Sequence, residues 1–288
     1  MKLKFTKMHG CGNDYVYVDC MHKELPNPEK ISQYVSHRRF GIGSDGLICI
    51  CPSDKADFRM KMFNADASEG KMCGNGTRCI AKYVYEKGLT DKTTITLDTL
   101  AGIKTIEMTL EDNKVAKATV NMGEPITLSK LVPMTCKVDV FQDMDLELDT
   151  QTKIRGTAVS MGNPHFVTFV DDVDKYDIEG IGKIIEHHPA FPERVNVEFV
   201  QILGPNEVKF RVWERGSGET WACGTGACAL GYTCVALGKA GKRGAYLNVH
   251  AKGGALEVKY AQDNHIFLRG PAAFSFEGEI DVPDEILK

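Results

Sequence analysis

The 288-residue sequence lacks any apolar run close to the length that a membrane span needs. A transmembrane helix requires about 20 consecutive apolar residues, and the longest runs here are much shorter. The first residues, MKLKF, begin an alternating strand-like pattern, so we expect no export signal. Low-complexity tracts and long flexible linkers are missing too. These absences favour a protein of the cytoplasm.

A large excess of charge of one sign is also missing. The formal net charge of -4 provides no broad cationic field for nucleic acid or an anionic membrane surface. Ten cysteines are too few for a disulfide scaffold in a chain of this length, so we expect mostly reduced thiols. We therefore predict a small-molecule partner, no nucleic acid and no membrane; a homodimer is compatible with the sequence.

A repeat at an offset of 150 residues is the most informative feature of the chain. Residues 69–76 (EGKMCGNG) correspond to residues 219–226 (ETWACGTG). The same offset relates three further pairs: Gly12 and Gly162, Asn13 and Asn163, and Gly88 and Gly238. Each half thus has a cysteine, Cys73 or Cys223, in an equivalent place. Two equivalent thiols suit a reaction that treats both faces of one carbon alike, as racemisation and epimerisation do.

Strand-like alternation precedes each cysteine, and a helical pattern follows it. Apolar residues alternate with charged ones over 58–62 and over 208–212. The two helices are predicted to begin with Asn75 or Thr225 as the N-cap and to stop at a glycine. Further strands are predicted at 94–97, 104–110, 116–121, 166–170, 196–201, 246–250 and 256–260. The pattern predicts an α+β fold of two pseudo-symmetric halves.

A thiol at a helix N-terminus can serve as an acid or a base. The N–H groups and the positive end of the helix dipole stabilise a thiolate and can lower its pKa from ~8.5 to ~3.5–7.5. The same groups can bind a carboxylate, and glycines at 74 and 224 leave room for that approach. With both helices directed into one cleft, one cysteine would remove an α-hydrogen and the other would protonate the opposite face.

Nothing in the sequence argues for a pyridoxal cofactor, the usual electron sink for this chemistry. We expect no cofactor and no metal, with N–H donors stabilising the carbanion instead.

The chain resembles the diaminopimelate epimerase family over essentially its whole length. Seven motifs carry the resemblance: 7–14 (KMHGCGND), 63–68 (FNADAS), 73–79 (CGNGTRC), 161–165 (MGNPH), 194–196 (RVN), 213–216 (WERG) and 223–228 (CGTGAC). The resemblance implies a cofactor-independent isomerase that interconverts LL- and meso-2,6-diaminopimelate in lysine and peptidoglycan precursor synthesis. It also implies two like domains, each a β-barrel-like sheet around a central helix, with the active site in the cleft between them.

The resemblance further implies that the C-terminal end returns to the first domain. We therefore place the domains at 1–123 plus 272–288 and at 124–271. The acidic segment 132–152 is predicted to be the crossover between the halves or, alternatively, an edge strand.

Carried over residue by residue, the family's acid/base pair corresponds to Cys73 and Cys223. The donors to the reacting carboxylate correspond to Gly74, Asn75, Gly224 and Thr225. The residues that bind the substrate's other polar groups correspond to Asn13, Asn64, Asn163, Asn196, Glu214 and Arg215. Arginine can bind a carboxylate through two N–H groups, and carboxylate and amide oxygens can accept from ammonium. His165 and Glu214 also match groups that pass protons to and from the thiols. Gly46 departs from members that have glutamine there, which leaves a contact from that position open.

Three alternatives stand beside this assignment. A proline or hydroxyproline racemase also uses opposed cysteines, but its substrate has one carboxylate, whereas the polar residues here fit a longer one. A zinc module would need knuckle spacings that Cys73 with Cys79 and Cys223 with Cys228 do not have. A thiol redox protein would need C-x-x-C.

We interpret six other cysteines as small core residues: Cys49, Cys51, Cys79, Cys136, Cys228 and Cys234.

Overall fold

A computed structural model describes residues 1–287 and divides the chain into two compact units. The first unit contains Met1–Val120 and Gly270–Lys288, and the second contains Asn121–Arg269. Each unit combines β-strands with a few helices, which confirms the predicted α+β class. The domain boundaries expected from the sequence, 1–123 with 272–288 and 124–271, stay a prediction. Within residues 1–287, no helix combines the length and the apolar character that crossing a membrane requires.

The first unit is built mainly of antiparallel strands. Its elements are β1 (Lys2–Gly10), β2 (Asn13–Asp19), α1 (Pro28–Ser36), β3 (Gly46–Cys51), β4 (Phe58–Asn64), β5 (Glu69–Gly70), α2 (Gly74–Glu86), β6 (Thr94–Thr99), β7 (Gly102–Glu111), β8 (Lys114–Gly123), β18 (Ala273–Asp281) and α5 (Asp284–Leu287). β18 pairs antiparallel with β1, so the end of the chain completes the sheet of this unit. β8 extends a few residues past the unit boundary.

The sheet of the first unit has apolar residues on both of its faces. Buried side chains of β2 and β3 form a core cluster with those of α1, including Ile31 and Val35. Helix α2 packs against β1 and β7, and its middle is fully buried at Cys79, Ile80 and Val84. A sheet that packs against helices on both of its faces needs apolar side chains on both faces. This explains why every residue of β3 is buried.

The second unit repeats this order of elements. They are a 3₁₀ turn (Ser129–Leu131), β9 (Met144–Glu147), β10 (Lys153–Ser160), β11 (Pro164–Phe169), α3 (Ile178–Glu186), β12 (Asn196–Gly204), β13 (Glu207–Glu214), β14 (Gly218–Thr220), α4 (Gly224–Ala236), β15 (Tyr246–Ala251), β16 (Gly254–Tyr260) and β17 (Ile266–Gly270). Helix α4 packs against strands β10, β11, β12, β15 and β16. It is buried almost all round, as expected for a helix enclosed by a sheet.

The pairing registers show that the two units share one plan. β2 pairs parallel to β3 with Tyr15 opposite Gly46, and β11 pairs parallel to β12 with His165 opposite Asn196. Both pairs are related by the offset of 150 residues seen in the sequence. The alternation predicted at 58–62 and 208–212 is confirmed in β4 and β13, where the apolar residues are buried and the charged ones half-buried. Equivalent sequence positions therefore occupy equivalent places.

Two sequence expectations need correction or refinement. The N-caps of α2 and α4 are Cys73 and Cys223, not Asn75 and Thr225, because each cysteine sulfur accepts the hydrogen bond that caps the helix. The segment 132–152 contains β9, which pairs antiparallel with β10, so part of it is the edge strand offered as the alternative.

Helices α2 and α4 are each followed, two residues after their last residue, by a glycine in the left-handed region, Gly88 (φ 71°) and Gly238 (φ 64°). A Cβ added at either glycine would have no atom within 4 Å. We expect Gly88→Ala and Gly238→Ala each to lower the free energy of unfolding by about 1 kcal/mol, because L-residues are strained at such a φ. Urea-induced unfolding of each variant measures the change in the free energy of unfolding. Gly204→Ala is the control, since Gly204 has equal space but no positive φ. An equal loss in the control would contradict the conformational explanation.

Candidate active site

The first half of the candidate site lies where the loop after β5 enters α2. Cys73 is extended (φ −129°, ψ 117°), and its Sγ accepts a hydrogen bond from Gly76 N at 3.3 Å. The first bond of the helix backbone runs from Thr77 N to Cys73 O at 2.8 Å. A cap formed by a thiol places the sulfur at the positive end of the helix dipole, beside the first-turn N–H groups.

Asn13 connects this thiol to the side chain of Asn75. Its Oδ1 accepts from Cys73 Sγ and from Asn75 Nδ2, both at 3.3 Å. Its Nδ2 donates to Asp45 Oδ2 at 2.8 Å, which fixes the amide with its oxygen towards the sulfur. The pKa of Asp45 is raised by burial and by the charge of Asp14. Three residues carried over from the family, Asn13, Cys73 and Asn75, therefore form one hydrogen-bonded group.

Arg78 holds the start of α2 in place, a role not anticipated from the sequence. It is fully buried. Its Nη2 donates to Asn75 Oδ1 at 2.9 Å, its Nη1 to Gly74 O at 3.2 Å, and its Nε to Pro271 O at 3.3 Å. Buried charges are rare unless they are fully hydrogen-bonded. The sequence offered no distinct signal for this role, because α2 also contains the charged residues Lys82 and Glu86.

Asn64 and Gly46 lie near the end of β4 and the start of β3, which are paired. Asn64 Nδ2 donates to Ser68 Oγ at 2.9 Å, within the turn that leads to β5. A Cβ at position 46 would lie 2.2 Å from Phe63 O and 2.7 Å from Tyr15 Cε1. The present backbone therefore has no room for the glutamine that some family members have there.

The second half of the candidate site repeats the thiol cap at α4. Cys223 Sγ accepts from Gly226 N at 3.3 Å and lies 3.4 Å from Thr225 Oγ1. Thr225 takes the place that Asn75 has in the first unit. Glu214, at the end of β13, accepts a hydrogen bond from Thr220 Oγ1.

The electrostatic environment of Cys223 differs from what its helix position suggested. Burial raises the pKa of its thiol well above the ordinary value, and the charges of Glu214 and Glu198 raise it further. The hydrogen bonds from Thr225 and Gly226 act in the opposite direction but do not prevail. The helix N-terminus, which can lower the pKa of a thiol, does not do so for Cys223. Desolvation and like charge outweigh the dipole here.

His165 lies at the centre of a buried chain of side chains. Its Nε2 is 3.0 Å from Asn163 Oδ1, and its Nδ1 is 2.7 Å from Glu198 Oε1. Both His165 and Glu198 are completely inaccessible to solvent. Asn163 and His165 are among the residues named from the sequence, whereas Glu198 is not. Its available signal was a carboxylate among the apolar residues Val197, Phe199 and Val200 of β12.

Asn196 organises the backbone around Arg215. Its Oδ1 accepts from Arg215 N at 2.9 Å, and its Nδ2 donates to Pro164 O at 2.9 Å. The exposed Arg215 side chain uses Nη1 to donate to Glu193 O at 3.0 Å. Asn196 therefore already holds the start of β11 and the backbone that follows β13, in addition to any contact with a ligand.

The other cysteines have the surroundings of core residues. Nearly all of the thiols interpreted in that way are buried; Cys136 is half-buried and donates to Val138 O at 3.3 Å. Burial raises the pKa of Cys79 and of Cys234 to about 12 in each case, so these thiols stay protonated. Among residues 1–287, no group of three or more His, Cys, Asp or Glu side chains could hold a metal ion.

Comparison with known proteins gives one consistent family. The family model of diaminopimelate epimerase matches residues 5–128 and 157–275. The diaminopimelate epimerase of Agathobacter rectalis is 52% identical over 287 residues, covering 97% of this chain and 100% of the relative. That of Methanococcus maripaludis is 50% identical over 281 residues, with the same two coverages.

Solved structures share the fold at low sequence identity. A hydroxyproline epimerase from Agrobacterium vitis superposes with a TM-score of 0.74 at 14% identity, covering 97% of this chain and 92% of that one. A phenazine biosynthesis protein of the PhzF family from Bacillus anthracis gives 0.71 at 18% identity, covering 98% and 100%. The fold is thus shared with proteins whose sequences are only 14% and 18% identical to this chain.

We expect Glu214→Gln to lower the pKa of Cys223. The charges of Glu214 and Glu198 both raise this pKa, and the effect of Glu214 is the larger. Below the pKa, each unit of decrease raises the thiolate fraction about tenfold. Alkylation of Cys223 by iodoacetamide at about pH 8 should therefore accelerate in that proportion, measured by peptide mass spectrometry. Glu207→Gln, at the other end of β13 and paired with His250, is the matched control. Unchanged or slower labelling of Cys223 in Glu214→Gln would refute this electrostatic account.

Proposed function

Because the chain belongs to the diaminopimelate epimerase family, we propose that Cys73 and Cys223 are the acid/base pair that inverts the α-carbon of its substrate. The enzyme interconverts LL- and meso-2,6-diaminopimelate, a reaction of lysine and peptidoglycan precursor biosynthesis. The observation that carries the assignment is the repeated thiol cap: each cysteine sulfur accepts from the third amide of its helix, at 3.3 Å in both units.

The reaction needs one base and one acid on opposite faces of the carbon. One cysteine, as thiolate, takes the α-hydrogen as a proton, and the electron pair of the broken C–H bond remains on the substrate. The other cysteine, as thiol, delivers its proton to the opposite face and becomes the thiolate. The raised pKa of Cys223 supports the thiol as its form in the enzyme before substrate binds, which makes Cys223 the proton donor when Cys73 is the base.

The carboxylate at the reacting carbon binds, in this proposal, to the first turns of α2 and α4. Gly76 N and Gly226 N are used by the cysteine sulfurs. We therefore assign the carboxylate to the amides of Gly74 and Asn75 and to those of Gly224 and Thr225. Preorganised N–H donors of this kind stabilise developing negative charge by about 3 kcal/mol each in other enzymes. This supplies part of the stabilisation that a carbanion requires.

The second amino acid end of diaminopimelate binds to the remaining polar residues. Arg215 is suited to its carboxylate, because one guanidinium nitrogen is fixed by Glu193 O while the side chain is exposed. The amide oxygen of Asn64 and the carboxylate oxygens of Glu214 are suited to ammonium groups, and the Nδ2 group of Asn163 is suited to a carboxylate oxygen. Asn13 acts by orienting the Cys73 thiol, and Asn196 by holding Arg215.

We also propose that the enzyme works in the cytoplasm, needs neither a cofactor nor a metal, and has no nucleic-acid or membrane partner. The small net charge of -4 supports the last point. A homodimer remains part of this proposal.

The decisive experiment is NMR of the reduced protein in D₂O with LL-diaminopimelate and no added cofactor. Loss of the α-hydrogen signal and appearance of the meso isomer are expected. Cys73→Ala and Cys223→Ala should each lower the rate by a factor on the order of 10² or more, because each removes an acid/base group.

Cys79→Ala and Cys228→Ala are the matched controls, since both are buried thiols further along the same helices. They should retain the activity. L-Proline and trans-4-hydroxy-L-proline are tested in parallel, and exchange with these compounds alone would assign the protein to the racemases of similar fold. Full activity in either Cys73→Ala or Cys223→Ala would overturn the two-base assignment.

Arg215→Ala should weaken substrate binding without altering the thiols, because it removes the charge proposed to pair with the distant carboxylate. A charge-assisted hydrogen bond lost at this position predicts a decrease in kcat/KM of about 10-fold to 100-fold, mostly in KM. Arg155→Ala, which removes an exposed arginine paired with Asp143, should leave both constants unchanged. A normal kcat/KM for Arg215→Ala would contradict its role.

A further inference from the structure

Glu198 is a buried carboxylate that is neither the acid nor the base of the proposed mechanism. It lies on β12 between Val197 and Phe199, and solvent does not reach it. The matching registers of β2 with β3 and of β11 with β12 give it the position that Ile48 has in the first unit. One unit thus has an apolar side chain at this place and the other has a carboxylate.

Both positions lie under the first turn of a helix that bears a candidate catalytic cysteine. A Cβ on Gly76 would be 2.7 Å from Ile48 Cδ1, and a Cβ on Gly226 would be 2.5 Å from Glu198 Oε1. Gly226 is the residue whose N–H donates to Cys223 Sγ. An apolar side chain fills this space in the first unit, so packing alone does not require a carboxylate in the second.

The hydrogen bonds of His165 fix the number of protons in this group. Nδ1 is 2.7 Å from Glu198 Oε1, and Nε2 is 3.0 Å from Asn163 Oδ1. A neutral imidazole has one N–H, and an amide oxygen and an ionised carboxylate both only accept. With a neutral ring and an ionised Glu198, one of the two ring nitrogens would therefore have no hydrogen, and its lone pair would face a lone pair of the neighbouring oxygen.

One additional proton removes this conflict. It lies either on the ring, which then donates to both oxygens, or on Glu198, which then donates to Nδ1. In both states Nε2 carries a hydrogen and the His165–Glu198 pair has no net charge. Neutrality also suits Glu198 Oε2, which is buried and has no hydrogen-bond partner among the described residues.

We propose that Glu198 is a positioning residue of the epimerase, which shares one proton with His165 and thereby fixes the amide of Asn163. Because Nε2–H donates to Asn163 Oδ1, the Nδ2 group of that amide is the part left to face a ligand. Glu198 acts through two other side chains and does not itself touch the substrate. The role of Asn163 in binding rests on the proposed function; the protonation of His165 does not.

The first test is ¹⁵N NMR of the ring nitrogens in the ligand-free, ¹⁵N-histidine-labelled protein at neutral pH. The protein has eight histidines, and the signals of His165 are those that disappear in His165→Asn. A hydrogen on Nε2 is expected in both permitted states. A bare Nε2 with a hydrogen on Nδ1 would overturn the proposal, because Asn163 would then present its other amide face to Nε2.

The second test is a double-mutant cycle on kcat/KM with diaminopimelate. Glu198→Leu is expected to lower kcat/KM by about tenfold or more, as loss of one substrate hydrogen bond does. In an Asn163→Ala background the same substitution should cause a smaller loss, because the part of its effect that passes through Asn163 is then absent. Losses that multiply, or an unchanged kcat/KM in Glu198→Leu, would overturn the proposal.

Glu86→Leu is the matched control, because Glu86 is also poorly exposed and also accepts two hydrogen bonds, from Lys82 and Val115 N. It should lower stability without changing kcat/KM. If Glu198→Leu does not fold, Glu198→Gln replaces it in the double-mutant cycle. The NMR test is made on the wild-type protein and does not depend on either Glu198 variant. Wild-type protein with Nε2–H but without α-hydrogen exchange would show that the proposed function has failed while the protonation of His165 is as inferred.

Discussion

The hydrogen bond between a cysteine sulfur and the third amide of the helix that follows is the interaction on which both half-sites depend. Serine, threonine, aspartate and asparagine are the usual N-caps, because their oxygens accept strongly. Here the cap is a thiol in both units, with Gly76 N or Gly226 N as the donor at 3.3 Å. The capping bond fixes the sulfur at the end of the helix axis, so the group that caps the helix is also the group available for chemistry.

This arrangement makes the rest of each unit a support for one helix terminus. α4 is in contact with five strands and is almost completely buried, although it contains glycine and β-branched residues that favour helices poorly. Its stability therefore comes from burial rather than from propensity. In the first unit, the buried Arg78 connects the start of α2 to the carbonyl of Pro271, which comes from the returning end of the chain.

The two units repeat their backbone but not their charges. Asn13 and Asn163 are equivalent in sequence, yet Asn13 contacts the Cys73 thiol and Asn163 contacts His165. Under the first turn of the helix, Ile48 in one unit corresponds to Glu198 in the other. An epimerase that binds a second amino acid group at a distance from the reacting carbon needs equivalent thiols but different surroundings. A duplicated fold with divergent buried side chains meets both requirements.

The sequence by itself determined the features that depend on local periodicity and on the repeat. Alternating residues located β4 and β13, the glycines at 88 and 238 located the helix ends, and the offset of 150 residues paired Cys73 with Cys223. These signals lie in the order of the residues, and the chain contains them in full. The resemblance to the family then named the polar residues that are proposed to bind the substrate.

Only the tertiary structure decided how those residues interact. It showed that the cysteines rather than Asn75 and Thr225 cap the helices, that Asn196 holds the backbone of Arg215, and that the pKa of Cys223 is raised rather than lowered. Glu198 was visible as a charge in an apolar strand, but its partners and the role of Arg78 were not. The reason is physical: desolvation and hydrogen bonding depend on groups distant in the chain, and no local pattern encodes their distances.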